Sequence, residues 1–183
     1  MFTFERKANY YETDQMGIVH HSNYIRWFEE ARLEMLRAMG LPYKEMEDNG
    51  ILIPVLGVSC SYKHPIRFDE TLVLTLRIQN YNGVRFEMAY EGHSKETGLL
   101  SCTGTSQHCF TTPALKPIRM QKHFPAWHEV FLQAAEPGQS RVIQNTKMPA
   151  GLTDVIGKPG GHFYKSLVFI HVAKHRSGSG LPP

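Results

Sequence analysis

The sequence has few cysteines, no long apolar run and no large excess of charge. Three cysteines in 183 residues cannot all pair, so reduced thiols are expected rather than a disulfide framework. The longest apolar stretches, Ile51–Val58 and Leu167–Ala173, fall far short of the roughly 18 residues that a membrane-spanning helix requires. Charged residues at positions 5–7 leave no apolar core for an N-terminal signal peptide. We therefore expect a cytoplasmic protein with no membrane association.

The net charge of +3 is small and unevenly distributed. Residues 1–136 carry 14 Lys and Arg against 16 Asp and Glu, a net charge of −2. Residues 137–183 carry 6 Lys and Arg against a single Asp, a net charge of +5. The basic surface that nucleic-acid binding would need is therefore not indicated on the main body of the chain. We expect no nucleic-acid partner.

Several catalytic and cofactor-binding motifs are missing. The sequence has no G-x-S-x-G nucleophile motif, no phosphate-binding loop and no dinucleotide fingerprint. His20 and His21 could suggest a metal pair, but adjacent side chains rarely converge on one ion. No cysteine or carboxylate spacing completes a zinc set. We expect neither a metal nor a cofactor.

One segment has the apolar spacing of a long helix. Apolar side chains recur at three- and four-residue intervals from Asn23 to Met39, which predicts an amphipathic α-helix. Ser22 or Asn23 can supply the N-cap oxygen, and Gly40 and Pro42 end the helix. Because the segment is apolar over most of its circumference, we expect a sheet to wrap around it.

The other periodic segments predict strands. Residues 2–10 read as a first strand, and Asn82-Gly83 predicts a tight hairpin between two later strands. One strand, one long helix and then several antiparallel strands predict an α+β fold with a single sheet. Phe124–Ala135 is expected to form a short closing helix. The later strands are predicted at Val58–Tyr62, Leu72–Ile78, Val84–Tyr90 and Leu99–Thr111.

Beyond Pro137 the periodicity fades into Gly- and Pro-containing segments. Such a composition is typical of loops and linkers, and only Lys165–His171 could add a strand. We therefore expect one domain over residues 1–136, followed by a basic extension over residues 137–183. The extension is expected to be poorly ordered unless a neighbouring subunit holds it.

A polar loop ahead of the predicted helix holds the candidate chemistry. Asp14 lies seven residues before the helix, whose first N–H groups lack intrahelical partners and can stabilise a developing oxyanion. An aspartate there could attack a carbonyl or activate a water. Gly17 would let the loop backbone approach a ligand closely. Spacing alone also fits an ordinary turn or capping aspartate.

The whole stretch YYETDQMGIVHHSNYIRWFEEARLEML resembles the signature of the 4-hydroxybenzoyl-CoA thioesterase-like acyl-CoA thioesterases. A looser likeness continues through Gly57–Leu74 and the following hairpin. The resemblance implies the hot-dog fold, in which about five antiparallel strands wrap one long central helix. It also implies a homodimer or homotetramer with the site at the subunit interface. The elements of the match are Thr13-Asp14, Gly17, Val19-His20-His21, Tyr24 and Glu30-Ala31-Arg32.

The resemblance also implies roles for individual residues. Asp14 matches the catalytic aspartate, which acts as nucleophile or general base. His21 matches the position whose backbone N–H polarises the thioester carbonyl. Gly17 and Tyr24 are expected to contact the acyl-CoA substrate, and Tyr24 equally suits the core. The candidates for binding the CoA phosphates, chosen from charge and location, are Lys63, His64 and Arg67, which equally fit a solvated strand end.

Two other functions stay open at this point. A hot-dog hydratase or dehydratase would pair His20 or His21 with an acid such as Glu29, Glu30 or Glu34. A non-catalytic module would bind an acyl-CoA or an acyl carrier protein without cleaving it. The intact Thr13-Asp14 pair favours hydrolysis over both. The acyl group, aromatic or aliphatic, is left open by the sequence.

Overall fold

A computed structural model describes residues 1–135 of the chain. Five strands form one antiparallel sheet in the order β1-β3-β4-β5-β2. The prediction of an α+β fold with a five-stranded antiparallel sheet is therefore confirmed. The strands are β1 Phe2–Lys7, β2 Val55–Tyr62, β3 Thr71–Tyr81, β4 Arg85–Ser94 and β5 Leu100–Cys109.

Alternation along the strands places one face of the sheet in the core. Leu72, Leu74, Leu76 and Ile78 of β3 are all buried, whereas the residues between them are partly or fully exposed. The hairpin between β3 and β4 turns at Asn82-Gly83, as predicted. Gly83 has a φ of +83°, a conformation that suits glycine because it has no Cβ.

The long helix α1 spans His21–Ala38 and begins slightly earlier than the sequence predicts. The prediction that Ser22 or Asn23 is the N-cap is wrong, because His20 holds that position. The Nδ1 atom of His20 accepts a hydrogen bond from the backbone N–H of Ser22 at 3.4 Å. The helix ends as predicted before Gly40, which has a φ of +78°.

Close packing joins α1 to the sheet. The ring of Phe28 stacks on that of Tyr90, with centroids 4.3 Å apart. A Cβ added to Gly104 of β5 would lie 2.5 Å from Phe28 and 2.5 Å from the carbonyl oxygen of Ser59. A glycine at position 104 therefore allows α1 and the sheet to approach. That the sheet wraps fully around α1 stays a prediction.

Three shorter helices accompany α1 among the described residues: α2 Tyr43–Asp48, α3 Met120–His123 and α4 Pro125–Ala135. The last agrees with the predicted closing helix, and its Phe131 packs against Phe86 and Phe110. The sequence analysis missed α2, α3 and a 3-10 turn at Tyr10–Glu12, since each is too short to show a helical period.

Some predictions fall outside the described part of the chain. The strand at Lys165–His171 and the state of the basic extension belong to these, so the domain boundary near residue 136 stays a prediction. Within residues 1–135, no helix is both long and apolar enough to cross a membrane.

Candidate active site

The loop before α1 folds into a tight turn around Asp14. The N–H of Asp14 donates to the carbonyl of Ile18 at 2.9 Å, and the N–H of Gly17 donates to the carbonyl of Asp14 at 3.0 Å. Gly17 has a φ of +71°, so a glycine suits this turn. The loop is therefore an ordered hairpin, closed by a bridge between Thr13 and Val19.

The side chain of Asp14 is half-buried, and only one of its oxygens is occupied. Its Oδ1 accepts a hydrogen bond from the N–H of Met16 at 2.8 Å. Within residues 1–135, Oδ2 accepts no hydrogen bond from protein. The turn thus orients the carboxylate through one oxygen, and the other has its lone pairs available to a ligand or a water.

The first turn of α1 offers an unpaired amide. The N–H of Ser22 is turned toward His20, and the N–H of Asn23 donates to the carbonyl of His20 at 2.9 Å. Among the described residues, the backbone N–H of His21 has no acceptor. This donor lies at the positive end of the helix dipole, where negative charge is stabilised. The imidazole of His21 is exposed and lies against that of His20, with ring centroids 4.1 Å apart.

Asp14 and the start of α1 border one open depression of about 860 Å³. Gly17 and His21 do not line the depression, although His21 lies between two residues that do, His20 and Ser22. The arrangement brings a carboxylate and the start of a helix to a shared cleft, as the spacing of the sequence predicts. The lining residues are Tyr10, Tyr11, Thr13, Asp14, Gln15, His20, Ser22 and Asn23.

The three cationic candidates lie on the segment that follows β2, and all three are exposed. Arg67 forms a backbone bridge with Ile18, so its segment runs directly beside the Asp14 loop. Within the described chain, neither Lys63 nor Arg67 forms an ion pair with an acidic side chain. Among residues 1–135, no hydrogen bond or ion pair joins Lys63 or His64 to the loop, whereas Arg67 lies directly beside it.

Tyr24 lies in the core rather than on the depression. Its ring contacts those of Trp27 and Tyr62, with centroids 5.3 Å and 5.2 Å away. Burial raises the pKa of its hydroxyl to about 12. Contact between Tyr24 and a substrate therefore stays a prediction, and within one chain its ring supports the first turn of α1.

Sequence reasoning missed Glu12, which connects the loop to α1. Its carbonyl accepts from the backbone N–H of His20 at 2.9 Å and from Nδ2 of Asn23 at 2.8 Å. Its carboxylate accepts from the indole N–H of Trp27 at 2.9 Å. The N-x-x-E spacing of Asn9 and Glu12 is a capping-box pattern and could have indicated the turn. The contacts with α1 leave no such signal in the sequence.

The described residues contain no group of three or more His, Cys, Asp or Glu side chains arranged to hold a metal ion. The rings of His20 and His21 are inclined at 36° to each other, and the Nδ1 atom of His20 lies 2.8 Å from the hydroxyl of Ser22.

Most of the described chain is similar to known proteins. Residues 9–134 match the thioesterase-like superfamily. The chain is 40% identical over 131 residues to "Putative acyl-CoA thioesterase YneP" of Bacillus subtilis, a match that covers 71% of this chain and 94% of that protein. It is 25% identical over 126 residues to the acyl-CoA thioester hydrolase YbgC of Escherichia coli, covering 69% and 94% of the two chains.

The fold is similar to the crystal structure of a DHNA-CoA thioesterase from Staphylococcus aureus. The TM-score is 0.69 at 34% sequence identity, and the match covers 73% of this chain and 91% of that one. The resemblance predicted from the loop and helix motif is confirmed. The chain belongs to the thioesterase-like superfamily.

Proposed function

We propose that the protein is an acyl-CoA thioesterase that hydrolyses a CoA thioester to a free acid and CoA. The class of enzyme, a thioester hydrolase, is that of the named relatives. The observation that carries the proposal is the cleft shared by Asp14 and the first turn of α1. Among the described residues, one oxygen of Asp14 has no protein donor, and the His21 amide beside the cleft has no acceptor.

In the proposed reaction, the thioester carbonyl oxygen accepts a hydrogen bond from the His21 N–H. Asp14 then either adds its free oxygen to the carbonyl carbon or removes a proton from the water that adds there. In both cases the C–S bond breaks and the sulfur leaves as the CoA thiolate. In the direct route, a water then hydrolyses the mixed anhydride formed on Asp14, which releases the free acid and restores the carboxylate. In the water route, the free acid forms in the same step, and in either route a proton from the water ends on the thiolate. A preorganised oxyanion donor of this kind is worth about 3 kcal/mol in the transition state.

The substrate would extend from this cleft toward the cationic segment after β2. Arg67 is beside the loop and lacks an acidic partner in the described chain, so it is the first candidate for a CoA phosphate, and Lys63 and His64 are the next. Gly17 would let the loop backbone approach the bound ester, and Tyr24 would support the acyl site from the core.

The proposed assembly is a homodimer or homotetramer with α1 as the central helix of each hot-dog domain. The open shape of the depression supports a site completed by a second subunit. The proposed location is the cytoplasm. No metal or cofactor is assigned a role in the reaction.

A hydratase or dehydratase is less well supported. That chemistry would pair a histidine with an acid, but among the ion pairs of residues 1–135 none joins His20 or His21 to a carboxylate. The candidate acids form ion pairs with arginines instead: Glu30 with Arg6, Glu29 with Arg32 and Glu34 with Arg37.

The test is thiol release from a panel of aromatic and aliphatic acyl-CoA esters, followed with a thiol reagent. We expect the wild type to release CoA and Asp14→Asn to lose at least about 100-fold in kcat, with KM little changed. Asp48→Asn removes the same charge from α2, outside the site, and serves as the matched control. Near-normal turnover by Asp14→Asn would overturn the role of Asp14. Binding of esters without any thiol release would indicate a non-catalytic module instead.

A further inference from the structure

A second carboxylate lies two residues before Asp14 and is almost completely buried. Glu12 is 5% exposed, and three donors surround its side chain. Oε1 accepts from Nη2 of Arg6 at 2.8 Å and from Nε1 of Trp27 at 2.9 Å, and Oε2 accepts from the N–H of Asn9 at 2.7 Å. A buried carboxylate is tolerated when it is paired in this way.

The main chain of Glu12 is held as firmly as its side chain. Its carbonyl accepts from the N-cap residue of α1, His20, and from the side chain of Asn23 in the first turn. Glu12 therefore accepts five hydrogen bonds, three at its carboxylate and two at its carbonyl. They join β1, through Arg6, to the catalytic loop and to the start of α1.

We propose that Glu12 is a positioning residue that sets the distance between the Asp14 carboxylate and the His21 amide. The inference rests on the proposed function of these two groups. Asp14 follows Glu12 by two residues, and His21 follows the bonded His20 directly. The contacts of Glu12 thus fix both reacting groups relative to each other. A displacement of about 1 Å at such a site can lower a rate roughly 100-fold.

Arg6 provides the basis for a matched control. Its guanidinium faces two carboxylates: Glu12 at 2.8 Å and the half-exposed Glu30 of α1 at 3.0 Å. Glu30→Gln and Glu12→Gln remove the same charge from the same arginine. Only Glu12→Gln also disturbs the loop, because the new NH₂ group cannot accept from Asn9 while its oxygen accepts from Arg6 and Trp27.

The kinetic test compares these two variants with acyl-CoA as substrate. We expect Glu12→Gln to lower kcat about 10- to 100-fold, with KM changed less than about twofold, because the ester still binds but the reacting groups are misplaced. Glu30→Gln should stay within about twofold of the wild type in both constants. Equal kcat values for Glu12→Gln and the wild type would overturn the inference, as would equal losses in both variants.

Hydrogen exchange supplies a readout that does not depend on activity. The amides of Asp14, Gly17 and His20, each bonded within the loop region, should exchange at least about tenfold faster in Glu12→Gln. The amides of β3 and β4 should be unchanged. If the wild type has no thioesterase activity, the proposed function is wrong. The exchange data would still test whether Glu12 holds the loop in place. Unchanged loop exchange would contradict the positioning role.

Trp27→Phe provides a second test of the inference if Glu12→Gln does not fold. This variant keeps an aromatic ring in the core and removes the single indole donor to Glu12. We expect a smaller loss of kcat than in Glu12→Gln, with faster loop exchange and an unchanged KM. A variant that is folded and has wild-type kcat and exchange would count against the inference.

Discussion

The start of α1 and its middle are buried by different means. At the start, Asn23 and Trp27 donate hydrogen bonds to Glu12 in the loop. In the middle, Phe28 stacks on Tyr90 of the sheet, and Ala31 is completely buried. The first region is held by directed polar contacts, which fix distances, and the second by close packing, which supplies most of the free energy of folding.

Each region contains a buried polar pair. The pair at the start of α1 joins a carboxylate to a cation, whereas the pair in the middle joins a cation to an uncharged imidazole. Glu12 pairs with the cation of Arg6 at the start of α1. In the middle, Nη1 of the buried Arg32 lies 3.2 Å from Nδ1 of His108, whose Nε2 lies 2.7 Å from the hydroxyl of Ser106. Burial, with the nearby charge of Arg32, lowers the pKa of His108 to about 2. We therefore expect changes at the start of α1 to alter catalysis and changes in its middle to alter stability.

The largest expected effect on the stability side follows from Gly104→Ala. The new Cβ would lie 2.5 Å from both Phe28 and a backbone oxygen of β2, and backbone cannot rotate away. We expect a loss of about 3 kcal/mol in the free energy of unfolding, measured by denaturant titration. Gly57→Ala is the matched control, because its Cβ would meet only Gln107, at 3.7 Å. Equal stability of the two variants would contradict the close approach of α1 to the sheet.

A smaller effect on the free energy of unfolding is expected from His108, which the lowered pKa keeps neutral in the folded protein. As pH falls below about 6.5, the unfolded chain gains a proton at His108 that the folded protein does not bind, so folding loses stability. The stability advantage of the wild type over His108→Gln should therefore shrink by about 2 kcal/mol between pH 6.5 and pH 5. Unfolding titrations at the two pH values measure it. A difference independent of pH would show that folding does not lower the pKa of His108.

Features of the fold that depend on local sequence patterns were predictable, and those that depend on contacts between distant residues were not. The strands were predictable because Leu72, Leu74 and Leu76 repeat with the period of a strand, and the Asn82-Gly83 turn has a strong local signal. The helix was predictable in extent but not in its N-cap. An imidazole nitrogen accepts at that position only because the bond from the His20 N–H to Glu12 orients the residue, and sequence spacing does not record this bond.

The loop and the helix start that form the candidate site were predictable from the sequence, but the contacts that support them were not. The motif around Asp14 and His21 is long enough to indicate both positions. The role of Glu12 depends on partners up to 15 residues away, brought together only by the fold. For Tyr24 the sequence left a substrate contact and a core position open, because a helical period does not distinguish a buried face from a cleft. The structure places Tyr24 in the core of the single chain, and its contact with a substrate stays a prediction.

The smallest expected effect concerns binding rather than chemistry or stability. Arg67 borders the Asp14 loop, and its guanidinium forms no ion pair with an acidic side chain among the described residues. If it binds a CoA phosphate as proposed, Arg67→Ala should raise KM for an acyl-CoA about fivefold, which corresponds to the loss of one exposed charge contact of about 1 kcal/mol. Its kcat and unfolding free energy should be unchanged. Salt at 1 M should abolish the difference, because exposed charges are then screened within about 3 Å. Arg77→Ala, on the exposed side of β3, is the control, and an equal rise in its KM would mean that the overall charge of the protein, and not a site beside Asp14, attracts the substrate.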